Sequence, residues 1–595
     1  MNKQEKAIVV LLFALLLGWF FHQDKVTRER AETLRRERER EAMLAPVAEA
    51  TDETAVQDDR PVPARPDDAV DPVPDREDEE TVRTAEQEAE PLLPERIEVL
   101  ANEVMNVEIS SWGGVITGVE LKLYPQTLDP ESDPIRFDFS DRPALAIGNI
   151  AGLSARNDFT LSVDGPTATA ERDLGTGLRY VRTLTLTDGY QILVSESFRN
   201  DGDIPLSLPE HTLGSGFMES IQTKAKSRGQ SFLELNALGY RTGSHVKRWR
   251  EKDFSKMLGA PSSGIGCAPA NMELVDETGM DLHHELLAWG AAKNRFFVQI
   301  IAPEEGAAGC RLHAARDPEA ETLDVTAVAL DMIFPAMILE PGVAIRRETG
   351  YYIGPNKYSK LQALGKHQDK AMLHAWQRWG WFRTLSVGML WTLNRIYDVI
   401  PNYGVAIILM TILVRIVFWP ITRKSTSDMR KMQDLKPLMA KIKEKHKENP
   451  KRMQEETWAL YRKHKVNPMT SCLPMLVQMP VFVALFNVLR GAVELRFAPF
   501  LWIADLSEPE RLLEGILPFG LVLNILPLLM TATTFFQQKL TPTGGDPAQQ
   551  RMMMFMPLFM LFIFYNFPAA LALYWTVSQG LAIVQMLGKR RQTSA

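Results

Sequence analysis

The sequence predicts an α+β membrane protein with an N-terminal anchor helix, a large extracytoplasmic β-sandwich domain and a C-terminal core of five transmembrane helices carrying a cytoplasmic helical hairpin. Three observations predict this class. An apolar run at 7–21 follows Lys3 and Lys6; residues 97–355 alternate apolar and polar side chains; residues 400–587 hold long apolar runs around one strongly basic loop.

A chain of 595 residues has room for several domains, each able to bury a core. The net charge of −7 arises largely from the acidic stretch 52–90, so it describes a linker rather than a binding surface. Nothing in it suggests nucleic-acid binding. Cys267, Cys310 and Cys472 are too few and too scattered for a disulfide framework or a zinc site. Cys472 reads as a small packing residue, and Cys267 and Cys310 can pair only in an oxidising compartment and with suitable geometry.

The run at 7–21 reads as a signal peptide or a signal anchor. Its end, Gly18-Trp19-Phe20-Phe21-His22, lacks the small residues of a cleavage site, and the aromatics suit a membrane interface, so anchor is the better reading. Residues 41–94 carry Asp, Glu, Pro and Ala with almost no large apolar side chain. Such a composition cannot offset the entropy of ordering and predicts an extended tether.

From Ile97 the pattern becomes β. Residues 179–199 alternate on both sides of Asp188-Gly189, a hairpin signature. Residues 323–334 and 344–353 alternate similarly, and Gly113-Gly114 reads as a turn between strands. One β-rich domain, a sandwich, is expected. Next, Phe382, Leu385, Leu390, Leu393, Ile396 and Tyr397 recur near helical spacing among Trp376, Trp379, Trp381 and Trp391. That pattern suits an amphipathic helix lying in the membrane interface; a core helix of a soluble domain is the plainer alternative.

Crossing the hydrocarbon core takes about 20 apolar residues. Five stretches qualify or nearly so: 400–419, 469–489, 515–536, 552–565 and 569–587. The fourth is short, and a tight Asn566-Phe567-Pro568 turn joins it to the fifth. The loop from Thr422 to Pro468 carries Arg423, Lys424, Arg430, Lys431, Lys436, Lys441, Lys443, Lys445, Lys447, Lys451 and Arg452, which places it in the cytoplasm with the tail Lys589-Arg590-Arg591. Six spans with both ends inside put the β domain outside. Arg28, Arg30, Arg35, Arg36, Arg38 and Arg40 after the first span argue the other way, and the agreement of the C-terminal loops outweighs them.

The expected organisation is an anchor at 1–22, an acidic linker at 23–95, the β domain at 96–365, the interfacial helix at 366–399, the transmembrane core at 400–588 with its hairpin at 423–467, and a basic tail at 589–595.

Arg415 stands among apolar residues in NYGVAIILMTILVRIVFWP. An arginine central in a membrane helix costs about 2.5–3.5 kcal/mol on insertion scales, which marks it as functional by default. Two readings stand. The side chain snorkels past Trp419, about 6 Å along the helix, or it occupies a water-accessible groove open to the cytoplasm. Thr411 lies one turn earlier on the same face. Gln478, Asn487, Asn524, Ser578, Gln579 and Gln585 are polar residues of later spans, each alone more often a helix–helix hydrogen bond than a site.

Absences narrow the chemistry. No Asp, Glu or His interrupts the five C-terminal spans, which disfavours a proton relay, intramembrane Ser–His catalysis and a metal centre. His283-His284-Glu285 lacks the spacing of a zincin, and no phosphate-binding G-x-x-x-x-G-K-[ST] run exists. No enzymatic activity, cofactor or metal is expected.

The basic loop has its own periodicity. Met429, Met432, Leu435, Met439 and Ile442 form one helical stripe, Asn449-Pro450 breaks it, and Met453, Thr457, Leu460 and Tyr461 form a second. The pattern predicts an antiparallel hairpin with a basic exterior, contacting lipid headgroups or serving as a surface for a ribosome, targeting factor or nascent chain.

These stretches resemble the YidC/Oxa/Alb family of membrane protein insertases. The resemblance rests on NYGVAIILMTILVR, KVNPMTSCLPMLVQMPVFVALF, VELRFAPFLWIADLS, DPAQQRMMMFMP and FPAALALYW, and is close from Asn402 to about Gln585. It implies the diderm-bacterial branch, with a periplasmic β-super-sandwich between the first two spans of an inner-membrane protein. It also implies a hydrophilic groove open to cytoplasm and lipid, with Arg415 as its arginine and Thr411, Gln478 and Trp575 in the core and substrate path. The implied partners are nascent membrane proteins, the Sec translocon and the lipid bilayer. Rival classes are a passive scaffold beside the translocon, a small-molecule transporter, which the missing acidic residues and absent internal repeat disfavour, and an intramembrane enzyme, which lacks candidate residues.

Overall fold

The computed structural model describes residues 94–594 except 130, 222–232, 240–245, 251–276, 283–285, 317–324, 366–379, 447–448, 465–472, 513, 515–521 and 541–546. The expected anchor, most of the acidic linker, Cys267, Cys472, His283-His284-Glu285 and the first part of the interfacial segment lie outside the described residues.

Strands fill the region from Ile97 to Pro355. The hairpin expected around Asp188-Gly189 joins strands Leu178–Leu186 and Gln191–Asn200, which pair antiparallel with Arg182 opposite Glu196. Along the first of these strands every second residue is buried, as a sheet with one face on the core requires. The Asn102 amide donates to the carbonyls of Thr187 and Gly189, at 2.6 and 2.8 Å, and fixes the turn. Gly113 and Gly114 turn the chain with φ of +71° and +57°, a conformation open to glycine at little steric cost.

The hairpin belongs to a nine-stranded antiparallel sheet in the order Val246–Arg250, Glu234–Gly239, Leu287–Lys293, Phe297–Pro303, Ala344–Pro355, Gln191–Asn200, Leu178–Leu186, Thr167–Asp173, Thr160–Asp164. A six-stranded sheet built around Val325–Phe334 covers one part of it. Two central strands, Leu287–Lys293 and Phe297–Pro303, are buried at every residue. The two sheets pack closely at Gly290, where an added Cβ would stand 2.4 Å from Leu330 Cδ2. The sandwich expected from the alternation is therefore present. A four-stranded meander from Ile97–Ala101 to Pro134–Asp138 adds Leu100, Val107, Val119 and Phe137 to the same core. Cys310 is buried in this core.

A buried ionic group crosses the large sheet. Glu196 accepts from Tyr180 Oη at 2.6 Å and Arg182 Nη2 at 2.9 Å on one oxygen, and from Arg347 Nε at 3.0 Å on the other. Burial alone would raise the Glu196 carboxyl, but Arg347 and Arg182 outweigh it and bring it down to about 2. Burial and the Arg347 charge depress the His211 imidazole, so the neutral ring accepts from Arg347 through Nε2 at 3.1 Å and donates from Nδ1 to the Pro209 carbonyl at 3.0 Å.

The remaining described chain is helical: α1 (Tyr358–Ala363), α2 (Gly380–Val399), α3 (Tyr403–Asp434), α4 (Lys436–Lys445), α5 (Pro450–Lys463), α6 (Leu473–Gly491), α7 (Ile525–Leu540), α8 (Pro547–Phe564) and α9 (Ala569–Ser594). Tyr403–Pro420 and Ala569–Gly588 are long and apolar enough to cross a membrane. Ala406, Ile407 and Met410 of α3, Ala484 and Leu485 of α6, and Ala570, Leu573 and Tyr574 of α9 share one core with Leu393 of α2.

The helix carrying the first core span is apolar and long enough to cross a membrane over Tyr403–Pro420, and it continues through Pro420 to Asp434, 32 residues or about 48 Å in all. Proline removes one backbone donor and bends the chain, yet the helix resumes, so span and first hairpin segment are one rod. Of the span expected at 515–536, residues 515–521 lie outside the described residues. Its described part is helical from Ile525, in α7. The hairpin is as expected. Asn449 caps α5 by accepting from the Arg452 amide at 3.1 Å, Pro450 occupies the first turn, and Met432, Leu435 and Tyr461 pack together between the helices.

Candidate functional site

On α3, Leu409, Leu413, Ile416, Val417 and Trp419 are exposed, forming an apolar outer face. Arg415 turns away from it toward α9. Its Nη2 donates to the Ser578 carbonyl at 2.6 Å and to the Ser578 hydroxyl at 2.8 Å, and its Nε reaches the same hydroxyl at 3.2 Å. Snorkelling alone does not describe this geometry, because the guanidinium faces across to another helix rather than along its own. Arg415 donates to a neutral hydroxyl and a carbonyl of one residue, so its positive charge is hydrogen-bonded but not neutralised by them.

One helical turn before Ser578, Tyr574 lies on the same face of α9. Its hydroxyl accepts from Gln478 Nε2 of α6 at 2.6 Å. Arg415, Ser578, Tyr574 and Gln478 thus form a polar seam from α3 across α9 to α6. Tyr574 is 1% exposed and Ser578 5%, so the seam is built into the helix packing rather than laid on its surface. Sequence reasoning named Ser578 only as one polar residue among several and missed Tyr574. The available signal was the i, i+4 spacing of Tyr574 and Ser578, which the neighbouring Trp575 obscured.

The other two expected site residues lie elsewhere. Thr411 is fully buried and its hydroxyl donates back to the Ile407 carbonyl of its own helix at 2.6 Å. Trp575, one residue from Tyr574, points to a different surface. Its ring meets Phe482 edge-on at 5.1 Å and its Nε1 donates to Thr534 Oγ1 of α7 at 3.3 Å. Asn524 does not face the seam either; it accepts from the Arg511 amide at 2.8 Å and donates to the Tyr565 carbonyl at 2.8 Å.

Around this seam the helices present a continuous apolar exterior. Leu528, Leu529, Phe535 and Phe536 of α7 and Phe555, Leu558, Phe559 and Phe562 of α8 are exposed. Exposed apolar area of this extent suits lipid rather than water.

The comparisons agree with the division into two parts. Residues 395–595 match the family described as 60Kd inner membrane protein, and residues 96–392 match the YidC periplasmic domain. The membrane protein insertase YidC of Nitratidesulfovibrio vulgaris (strain DP4) is 32% identical over 501 residues, covering 80% of this chain and 83% of that protein. The protein of the same name from Geobacter sulfurreducens is 30% identical over 499 residues, covering 82% and 85%. A third, from Syntrophobacter fumaroxidans, is 42% identical over 303 residues, and there the match spans 53% of the relative's length. A solved structure described as an active YidC insertase with its first transmembrane domain resolved aligns with 83% of this chain and 93% of that one, at 16% identity and a TM-score of 0.33. By its two family matches and its near full-length relatives, this chain belongs to the YidC membrane protein insertase family.

Proposed function

We propose that this protein inserts other proteins into the inner membrane and assists their folding, alone or with the Sec translocon. The observation that carries the reading is the Arg415 guanidinium, held inside the helical core by the neutral hydroxyl and carbonyl of Ser578. A cation in that position attracts acidic residues of an incoming segment. Arg415, with Gln478 and Tyr574, offers polar partners part-way across the bilayer. This shortens the barrier to the substrate's polar tail. Thr411 and Trp575 act through packing, the first one turn before Arg415 and the second on the apolar side that guides the emerging helix into lipid. Burial of about 20 apolar residues in lipid drives the step, so no turnover chemistry is needed, as fits a non-enzymatic family.

The proposal includes the topology. Residues 1–22 anchor the chain, 23–95 tether it, and 96–365 fold on the periplasmic side. Residues 366–399 lie along the membrane, 400–588 span it five times, and the hairpin at 423–467 and tail at 589–595 face the cytoplasm. The basic hairpin is the surface for a ribosome or targeting factor.

Purified protein in liposomes tests the reading with a short single-span substrate. Protease protection above that of empty liposomes supports autonomous insertion. Absence of protection by correctly oriented protein favours the scaffold reading, and solute flux without insertion favours a transporter.

A further inference from the structure

Arg295 lies in the turn between strands Leu287–Lys293 and Phe297–Pro303, and its side chain is 5% exposed. It leaves the β domain and enters the loop that follows α6. Its Nε donates to the Arg490 carbonyl at the end of α6 at 2.9 Å, its Nη2 to the Ser507 carbonyl, and its Nη1 pairs with the Glu508 carboxylate. The guanidinium also stacks over Phe296, 4.7 Å from the ring centre. Arg496 of the helical region makes the reciprocal contact, donating to the carbonyls of Pro125 and Gln126 in the β domain at 2.7 and 3.1 Å.

The same loop holds the start of α9. A helix N-terminus leaves its first amides without intrahelical partners. In α9 the Ala569 amide donates to the Glu508 carbonyl and the Ala570 amide to the Leu506 carbonyl, both at 2.9 Å. Glu508 therefore takes Arg295 on its side chain and α9 on its backbone. Within that loop, Asp505 accepts from the Ser507 amide at 2.7 Å, which keeps the segment compact. About one and a half and two and a half turns further along α9 come Tyr574 and Ser578, the partners of Gln478 and Arg415.

We propose that Arg295 is a positioning residue for the polar seam, through which the β domain fixes the start of α9 and thereby the placement of Ser578 beside Arg415. The inference rests on the insertase reading of that seam and gives the β domain a part in it. Three acceptors in three directions suit the rigid fork of arginine; a lysine, with one nitrogen, reaches only some of them.

Hydrogen–deuterium exchange and substrate insertion are measured on the full chain in lipid bilayers, for wild type, Arg295→Ala, Arg295→Lys and Glu508→Gln. The expected result is exchange at 569–575 faster by roughly ten-fold or more in all three variants, the scale of losing one charge-assisted bond, with the flanking β strands unchanged. Insertion of an acidic-tailed substrate falls alongside. Unchanged exchange at 569–575 overturns the proposal. So does faster exchange that always spreads through strands 287–293 and 297–303, because that is loss of the β fold; Glu508→Gln guards against this ambiguity, being outside the β domain. Wild-type protein that inserts nothing overturns the insertase reading instead, and the exchange result still decides the coupling.

Discussion

Ser578 meets Arg415 twice, with its hydroxyl and its own backbone carbonyl, so one small residue of α9 occupies most of the guanidinium fork. Removing the hydroxyl leaves the carbonyl alone. Hydrogen bonds to charged groups are worth about 1.5–3 kcal/mol each, so Ser578→Ala is expected to destabilise the helical core by about 1–3 kcal/mol. Ser578→Thr keeps the hydroxyl and is expected to recover most of that. Thermal unfolding of both variants in the same lipid checks the pair. Equal losses in the two would mean that volume, not the hydroxyl, matters at this position.

Gly404, in the first turn of α3, packs against Phe500 of the loop after α6. A Cβ there would stand 2.0 Å from Phe500 Cγ and 2.1 Å from Cδ2, with Phe500 Cβ only 2.6 Å away. The ring is held close to its own backbone and cannot swing clear. Gly404→Ala is expected to cost about 1–3 kcal/mol by overpacking, despite the higher helix propensity of alanine. Phe500→Ala in the same background should return part of the loss. A double-mutant cycle on unfolding free energies measures the coupling, and simple additivity would contradict the contact.

Glu196 gives the β domain a defined acid response. Its folded-state carboxyl lies at about 2, below the unfolded value of about 4.3. A depressed carboxylate contributes stability that is fully present above the unfolded value and is lost as pH falls through the folded one. Between roughly pH 4.3 and pH 2, unfolding should therefore become easier as Glu196 is protonated. Glu196→Gln should flatten that limb and also lower stability at neutral pH by about 3–5 kcal/mol, because Arg182 and Arg347 lose their counter-charge in a buried site. Unfolding curves across pH test both parts. An unchanged acid limb in the variant would assign that response to other carboxylates.

Local pattern made much of this architecture legible. The alternation on both sides of Asp188-Gly189 is the paired hairpin, and Asn449-Pro450 marks the cap of α5 because both residues act through local backbone chemistry. The continuation of α3 beyond Pro420 was not legible from the apolar run, which ends there. In the loop after α6, Phe497, Leu501 and Arg511 stand at positive φ, and non-glycine residues in that conformation leave no periodic trace. In the site, Arg415 was visible as a charge in an apolar run. Its partner Ser578, 163 residues away, was not, and neither was Arg295 beside Glu508 at a separation of 213 residues. Such pairings come from tertiary packing, which spacing along one helix cannot encode.

The central claim is that Arg415 acts through its charge on the incoming segment. The most direct measurement compares insertion of two single-span substrates, identical except for an acidic or a neutral extracytoplasmic tail, by wild type, Arg415→Lys and Arg415→Glu in liposomes. The account predicts that Arg415→Lys retains most insertion of both substrates. Arg415→Glu should lose the acidic-tailed one by about ten-fold, the scale of one charge-assisted interaction, and spare the neutral one. Equal loss of both substrates in Arg415→Glu, or no loss of either, would contradict it.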